Sequence, residues 1–152
     1  IELTQNALEN SRRIAHDLFP PVLEKFGLNA GIEELVEEFN STKKVKVSYQ
    51  NTIDFESYPI DKHLHIFRIL QELLNNSLRH GKATEISIQF TTFENQNIAT
   101  YIDNGVGFDR ADLENKKGLG MMNIESRINF LEGKFTFDSK PNEGVKMIFN
   151  FN

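Results

Sequence analysis

The spacing of apolar residues changes several times along this chain, and each change marks an element. Leu3, Ala7, Ile14 and Leu18 form one seam of a helix, with polar Asn10 and Ser11 where the next seam residue would fall. Phe19-Pro20-Pro21 ends that helix, because proline lacks a backbone N–H and disfavours helical geometry in the residue before it. A connector runs through Gly27. Ile32, Leu35, Val36 and Phe39 follow the i, i+3, i+4, i+7 pattern of a second, shorter helix. Val45, Val47 and Tyr49 then alternate with polar residues, as in a half-buried strand.

The most regular helix covers about residues 61–80, after Pro59. Leu64, Phe67, Gln71, Leu74 and Leu78 form its stripe, which Ile66, Ile69, Leu70 and Leu73 widen. Its other face carries His65, Arg68, Glu72, Asn76 and Arg79, and Gly81 is placed to cap it in the left-handed conformation. Two strands follow, through Ile86-x-Ile88-x-Phe90 and Ile98-x-Thr100-x-Ile102, with Asn95-Gln96-Asn97 as the turn. A glycine-rich loop spans 104–118. Met121 to Glu132 reads as a helix stopped by Gly133, with Ile124, Ile128 and Leu131 inward. Strands through Phe135 and Phe137, and through Val145, Met147, Phe149 and Phe151, close the chain around a turn at Pro141-Asn142-Glu143-Gly144. The expected fold is α/β (α+β). It has two layers, a mixed, mostly antiparallel sheet with helices on one face, after a separate N-terminal helix.

At 152 residues this is one domain with a short appendage, long enough to bury a core. The absence of cysteine excludes disulfides, zinc–thiolate sites and cysteine catalysis, and agrees with a cytoplasmic setting. A net charge of −5 speaks against a general nucleic-acid binder. No apolar run reaches membrane-spanning length. The chain opens inside a helical pattern, so it reads as part of something longer.

Three short stretches carry the chemistry. In the long helix, Glu72 and Asn76 are four residues apart, Arg79 is three further on and His80 four, so they line one edge. An amide oxygen can ligate Mg²⁺, a carboxylate can orient or deprotonate a nucleophile, and a guanidinium can face phosphate oxygens. A solvated helix face with a Glu/Arg pair explains the same pattern. Asp103-Asn104-Gly105-Val106-Gly107 follows a strand. Asn-Gly is a hairpin signal, but a second glycine and a lysine-bearing loop stand where the return strand would begin. Glycines so spaced let the backbone approach a ligand, and Asp103 could then accept a hydrogen bond from the amine of adenine. Gly118-Leu119-Gly120 opens a helix behind Lys116 and Lys117, an arrangement that suits an anion or is simply a surface loop. Four of the nine glycines fall between positions 105 and 120. His16, beside Asp17, is either a phosphoryl acceptor or a polar residue on a helix seam.

Taken together, these residues resemble the ATP-binding catalytic domain of two-component sensor histidine kinases, of the superfamily shared with gyrase, Hsp90 and MutL. The resemblance runs from about Arg12 to Phe151. Glu72 to His80 looks like the N box, Asp103-x-Gly105-x-Gly107 like the first glycine box, and Gly118-Leu119-Gly120-Met121 like the second. The Arg79-His80 ending and the Leu18-x-Pro20-x-x-Leu23-x-x-x-Gly27-Leu28 segment are similar to the nitrate- and lipid-sensing subgroup, as is Ser139-x-Pro141-x-x-x-Gly144.

The resemblance implies a Bergerat-type ATPase fold. Residues 1–28 would be the end of a dimerisation helix with its connector, and 29–152 the ATP-binding domain. It implies ATP and Mg²⁺ as cofactors, with Asn76 on the metal and Asp103 reading adenine. Glu72 would be the candidate base, and Arg79 and His80 would contact phosphates. Gly105, Gly107, Gly118, Leu119, Gly120 and Met121 would shape the lid. Its partners would be its own dimerisation and phosphoacceptor domain, in a homodimer, and a response regulator. It would work in the cytoplasm, as a soluble part of a sensor that is itself either soluble or membrane-anchored.

Two departures qualify the likeness. The acceptor histidine of this subgroup lies on an earlier helix, so the fragment is expected to bind ATP without phosphorylating itself. Val145 follows Gly144 where many relatives carry threonine. An anti-sigma-factor serine kinase on the same fold would not need the Pro-Pro connector. A gyrase- or MutL-type clamp needs a further domain, and a degenerate interaction domain need not keep Asn76, Asp103 and the glycines.

Overall fold

The computed structural model describes residues 19–42, 44–107 and 121–152. The seam helix, His16, Lys116, Lys117, Gly118, Leu119 and Gly120 lie outside the described residues.

Pro20 and Pro21 open a helix at once. Helix α1 spans Pro21–Thr42, with proline in the first turn, where its missing N–H costs nothing. It bends at Gly27, whose φ of 86° and ψ of −178° belong to a region open essentially to glycine alone. The connector is thus a short helix continuous with the second one. Leu23, Leu28, Ile32, Leu35, Val36 and Phe39 turn inward along it.

Strand β1, Lys46–Asn51, follows. Its Val47 is clamped by Asn40 of α1, which accepts the Val47 N–H at 2.7 Å and donates to its carbonyl at 3.0 Å. A side-chain amide thus occupies backbone groups that an edge strand would leave open. After a 3₁₀ turn at Phe55–Ser57, helix α2 runs over Ile60–Arg79, with Asp61 in its first turn and Arg79 in its last, matching the helix dipole. Ile66, Phe67, Ile69, Leu70, Leu73 and Leu74 are buried, a stripe wide enough to face both the sheet and α1.

Strands β2, Glu85–Phe93, and β3, Gln96–Asp103, form a hairpin. Its turn is the two residues Glu94 and Asn95, with φ of 50° and 63°, rather than Asn95-Gln96-Asn97. Two successive positive φ values match the twist of a tight hairpin, and Phe93 pairs with Gln96 as that register requires. Helix α3 spans Met121–Phe130, followed by β4, Phe135–Ser139, and β5, Val145–Phe151. The sheet order is β1-β2-β3-β5-β4. β1 and β2 are parallel and the other pairs antiparallel, so the sheet is mixed and mostly antiparallel, as expected.

One core fills the space between sheet and helices, through Phe90, Tyr101, Phe149 and Phe151 from the strands and Ile66, Ile69, Leu70, Ile124 and Ile128 from the helices. The end of α2 departs from expectation. Gly81 does not take the left-handed conformation; Lys82 does, with φ of 50°. The chain makes a longer turn there, with the Gly81 N–H on the Asn76 carbonyl at 3.1 Å and the Ala83 N–H on the Ser77 carbonyl at 2.9 Å. Gly81 serves instead by being small: a Cβ on it would sit 3.0 Å from the Ser77 carbonyl oxygen.

Candidate nucleotide site

Asp103 is the last residue of β3 and faces the helix layer. It is 4% exposed, which for a carboxylate requires partners on its oxygens. One oxygen, Oδ1, accepts the N–H of Gly105 and the N–H of Val145, both at 3.0 Å. The other, Oδ2, accepts the hydroxyl of Ser77 at 2.5 Å, the short distance of a hydroxyl on a carboxylate. Ser77 is buried in the penultimate turn region of α2, and its Oγ also lies 2.5 Å from the hydroxyl of Tyr101. The single Ser77 proton is given to Asp103 and the single Tyr101 proton to the Leu73 carbonyl at 3.0 Å, so the Ser77–Tyr101 contact has no proton of its own. Burial pushes the Tyr101 pKa up, its contact with Ser77 lowers it and the Asp103 charge raises it further.

The glycines after Asp103 are explained first by how closely the chain approaches itself. A Cβ on Gly105 would lie 2.3 Å from the Gly81 carbonyl oxygen, and one on Gly107 would lie 2.2 Å from that of Lys140. The Val106 N–H donates to the Gly81 carbonyl at 2.7 Å, and the Asn142 N–H to the Val106 carbonyl at 2.5 Å. The Asp103 loop is thus wedged between the end of α2 and the β4–β5 turn. Asn104 does not head a hairpin: no strand follows it through residue 107. Its side-chain oxygen accepts the N–H groups of Thr84 and Glu85 at 2.9 and 2.8 Å, fixing the start of β2.

Asn76 precedes the buried Ser77, so helix geometry sets it on the rim beside Asp103. It is half-buried, as are Glu72 one turn earlier and His80, while Arg79 is exposed. Met121 starts α3, partly buried against the core. His65, seven residues before Glu72, shares that edge, and α3 docks there. Arg127 donates to His65 Nδ1 at 3.1 Å, and the His65 ring lies 4.0 Å from that of Phe130. The second glycine stretch thus precedes in sequence a helix that docks on α2 at His65. Gly118, Leu119 and Gly120 themselves are outside the described residues. Among the described residues, no three His, Cys, Asp or Glu side chains cluster as a metal cage. A cation here would depend on phosphate oxygens and water besides the Asn76 amide, as suits Mg²⁺.

Sequence reasoning passed over Ser77 and Tyr101. Tyr101 shares the inward side of β3 with Asp103, and Ser77 sits on the apolar stripe of α2 seven residues after Leu70, so a polar pair on facing inward positions was the available signal.

Comparison with known proteins identifies the family and the fold. Residues 61–152 match the family described as histidine kinase-, DNA gyrase B- and HSP90-like ATPase, more than half of the chain. The chain is 28% identical over 150 residues to the signal transduction histidine-protein kinase/phosphatase DegS of Brevibacillus brevis, covering 98% of this chain and 38% of that protein. It is 27% identical over 146 residues to the sensor histidine kinase ComP of Bacillus subtilis, covering 95% and 19%. It is 26% identical over 138 residues to the oxygen sensor histidine kinase NreB of Staphylococcus carnosus, covering 91% and 40%. The chain thus spans two-fifths or less of each of these relatives. The fold is that of the histidine kinase domain of the Erythrobacter litoralis EL346 blue-light activated kinase, at TM-score 0.67 and 17% identity, covering 82% of this chain and 59% of that one. Acinetobacter baumannii histidine kinase AdeS gives TM-score 0.63 at 18% identity, over 99% and 79%. Because the family match covers more than half of the chain, and the mixed sheet with its helices is the fold of solved histidine kinases, the chain belongs to the histidine kinase-, DNA gyrase B- and HSP90-like ATPases.

Proposed function

We propose that this chain is the catalytic part of a sensor histidine kinase. It binds ATP with Mg²⁺ and donates the γ-phosphoryl group to a histidine on the kinase's own dimerisation region, for relay to a response regulator. The observation that carries the reading is the buried Asp103 carboxylate, held by donors on three sides beside a half-exposed helix edge. The sensor-kinase names of the relatives favour this over a serine kinase on the same fold.

In this reading Asp103 accepts the amino group of adenine, and guanine, with a carbonyl oxygen at that ring position, is repelled. Asn76 offers its amide oxygen to Mg²⁺, which when bound neutralises charge on the phosphate oxygens. Arg79 and His80, from the end of α2, meet the phosphates, and Gly118, Leu119, Gly120 and Met121 belong to the same nucleotide site in this proposal. Glu72, about 6 Å along the helix from Asn76, orients the acceptor imidazole. The N–P bond forms as the bond between γ-phosphorus and bridging oxygen breaks, ADP leaves, and the imidazole proton passes to Glu72 or water. Positioning and charge stabilisation supply most of the catalysis in such transfers.

The boundary near residue 28 belongs to this proposal, and the bend at Gly27 supports it. A homodimeric parent and a cytoplasmic setting are parts of the same proposal. Among the described residues no helix is long and apolar enough to cross a membrane. Calorimetric titration of the 152-residue chain with ATP tests the reading. Magnesium-dependent binding is expected, and its absence would sink the proposal.

A further inference from the structure

We propose that Ser77 is a positioning residue for base recognition. By occupying one side of Asp103 Oδ2, it leaves the carboxylate a single open acceptor site and so sets the preference for 6-aminopurine nucleotides. The inference rests on the reading of Asp103 as the adenine contact.

A carboxylate offers about four lone-pair sites, two on each oxygen. Oδ1 has both filled, by the N–H groups of Gly105 and Val145. Oδ2 has one filled, by Ser77. One site remains, and it accepts a hydrogen bond. The carboxylate is planar, so the two backbone donors on Oδ1 and the Ser77 hydroxyl on Oδ2 together hold its otherwise soft terminal torsion from both ends.

The direction of the hydroxyl chain matters equally. Ser77 donates its one proton to Asp103, and Tyr101, whose own proton goes to the Leu73 carbonyl, sets its oxygen against Ser77 Oγ. Ser77 therefore has no proton to turn toward a base carbonyl. All three groups are nearly fully buried, Tyr101 at 1%, Ser77 at 3% and Asp103 at 4% exposed, so water does not compete for these bonds. Together they present an acceptor to the base and withhold a donor. That accepts an exocyclic amine and rejects an exocyclic oxygen.

The test compares the affinities of ATP, GTP and purine riboside triphosphate, which has hydrogen in place of the amine. The proteins are the wild-type chain, Ser77→Ala, Asp103→Asn and the double variant. Ser77→Ala should weaken ATP binding about three- to tenfold, the scale of one ordinary hydrogen bond, and change purine riboside triphosphate by less than about twofold. On the Asp103→Asn background the same substitution should do little further, because the two residues act as one unit. Equal weakening of ATP and purine riboside triphosphate by Ser77→Ala, or no weakening of ATP, would overturn the inference. If Asp103→Asn loses the discrimination that Ser77→Ala keeps, the role of Ser77 fails alone. If Asp103→Asn treats all three nucleotides as the wild type does, the reading of Asp103 fails with it. Should Ser77→Ala not fold, Tyr101→Phe tests the same chain by freeing the Ser77 hydroxyl to turn. It should narrow the ratio of ATP to GTP affinity, and an unchanged ratio would count against the inference.

Discussion

The Gly81 carbonyl accepts the Val106 N–H at 2.7 Å, and this contact joins the end of α2 to the loop behind Asp103. Gly105 lies in the same contact, where a Cβ would stand 2.3 Å from the Gly81 oxygen. Backbone, unlike the end of a flexible side chain, cannot give way cheaply. Gly105→Ala should therefore destabilise the fold by about 2 kcal/mol, the scale of overpacking a filled space. Urea unfolding measures it, and an unchanged midpoint would mean that the loop moves aside without loss.

Gly27 should be intolerant for the opposite reason. Nothing lies within 4 Å of a Cβ built on it, so space is not the constraint. Its backbone conformation is. Gly27→Ala should cost about 1–3 kcal/mol, and Gly27→Asn should give no relief, because this region is not the left-handed helical one that asparagine tolerates. Parallel urea curves for the two variants check both statements. A stable Gly27→Asn would show that the bend relaxes.

Asp103→Asn separates binding from stability. The side-chain oxygen of asparagine can still accept the Gly105 and Val145 N–H groups, and Ser77 can turn to accept from the new amide. Stability should change by less than about 1 kcal/mol. ATP affinity should fall by at least about tenfold, since a donor would then face the adenine amine. Calorimetry and thermal melts on one preparation decide. Loss of both in proportion would reduce Asp103 to a structural residue.

The α2–α3 contact should respond to pH. Burial lowers the His65 pKa, the Arg127 charge lowers it further, and Asp61 opposes them. Arg127 donates to His65 Nδ1, a bond that only the neutral ring can accept. The folded state thus binds fewer protons than the unfolded one between the lowered pKa and about 6.5, so stability rises with pH across that window. It is present in full above the unfolded pKa and declines as pH falls toward the folded one. His65→Phe should flatten this dependence in urea curves taken from pH 7.5 down to 5.5; an equally steep slope in the variant would assign it elsewhere.

Much of the fold was legible because burial repeats with the period of the element. Ile86, Ile88 and Phe90 marked β2 by alternation, and the wide stripe from Ile66 to Leu74 marked α2. The turn at Glu94-Asn95 was missed because Asn95-Gln96-Asn97 is equally polar, and only the Phe93–Gln96 register separates the two. Asp103 stood out because an aspartate at a strand end before two glycines is a poor hairpin. Ser77 did not, since on a helix stripe a lone serine reads as a gap in the apolar pattern. Its meaning depends on a carboxylate 26 residues away. The tight approaches at Gly105 and Gly107 were hidden likewise, because the carbonyls they avoid belong to Gly81 and Lys140.

The order β1-β2-β3-β5-β4 has a consequence for assembly. β5, the last of the described strands in sequence, is an interior strand of the sheet, so β3 remains an edge until β5 has paired with it. The Val145 N–H that reaches Asp103 spans 42 residues, a long loop to close, and belongs to that last pairing. A nascent or truncated chain ending before β5 would carry Ser77, Asp103 and the glycine loop, yet leave one Asp103 oxygen short of a donor and one strand edge open to other chains. The full set of donors on Asp103 is thus acquired only when β5 pairs, in the same step that covers the β3 edge.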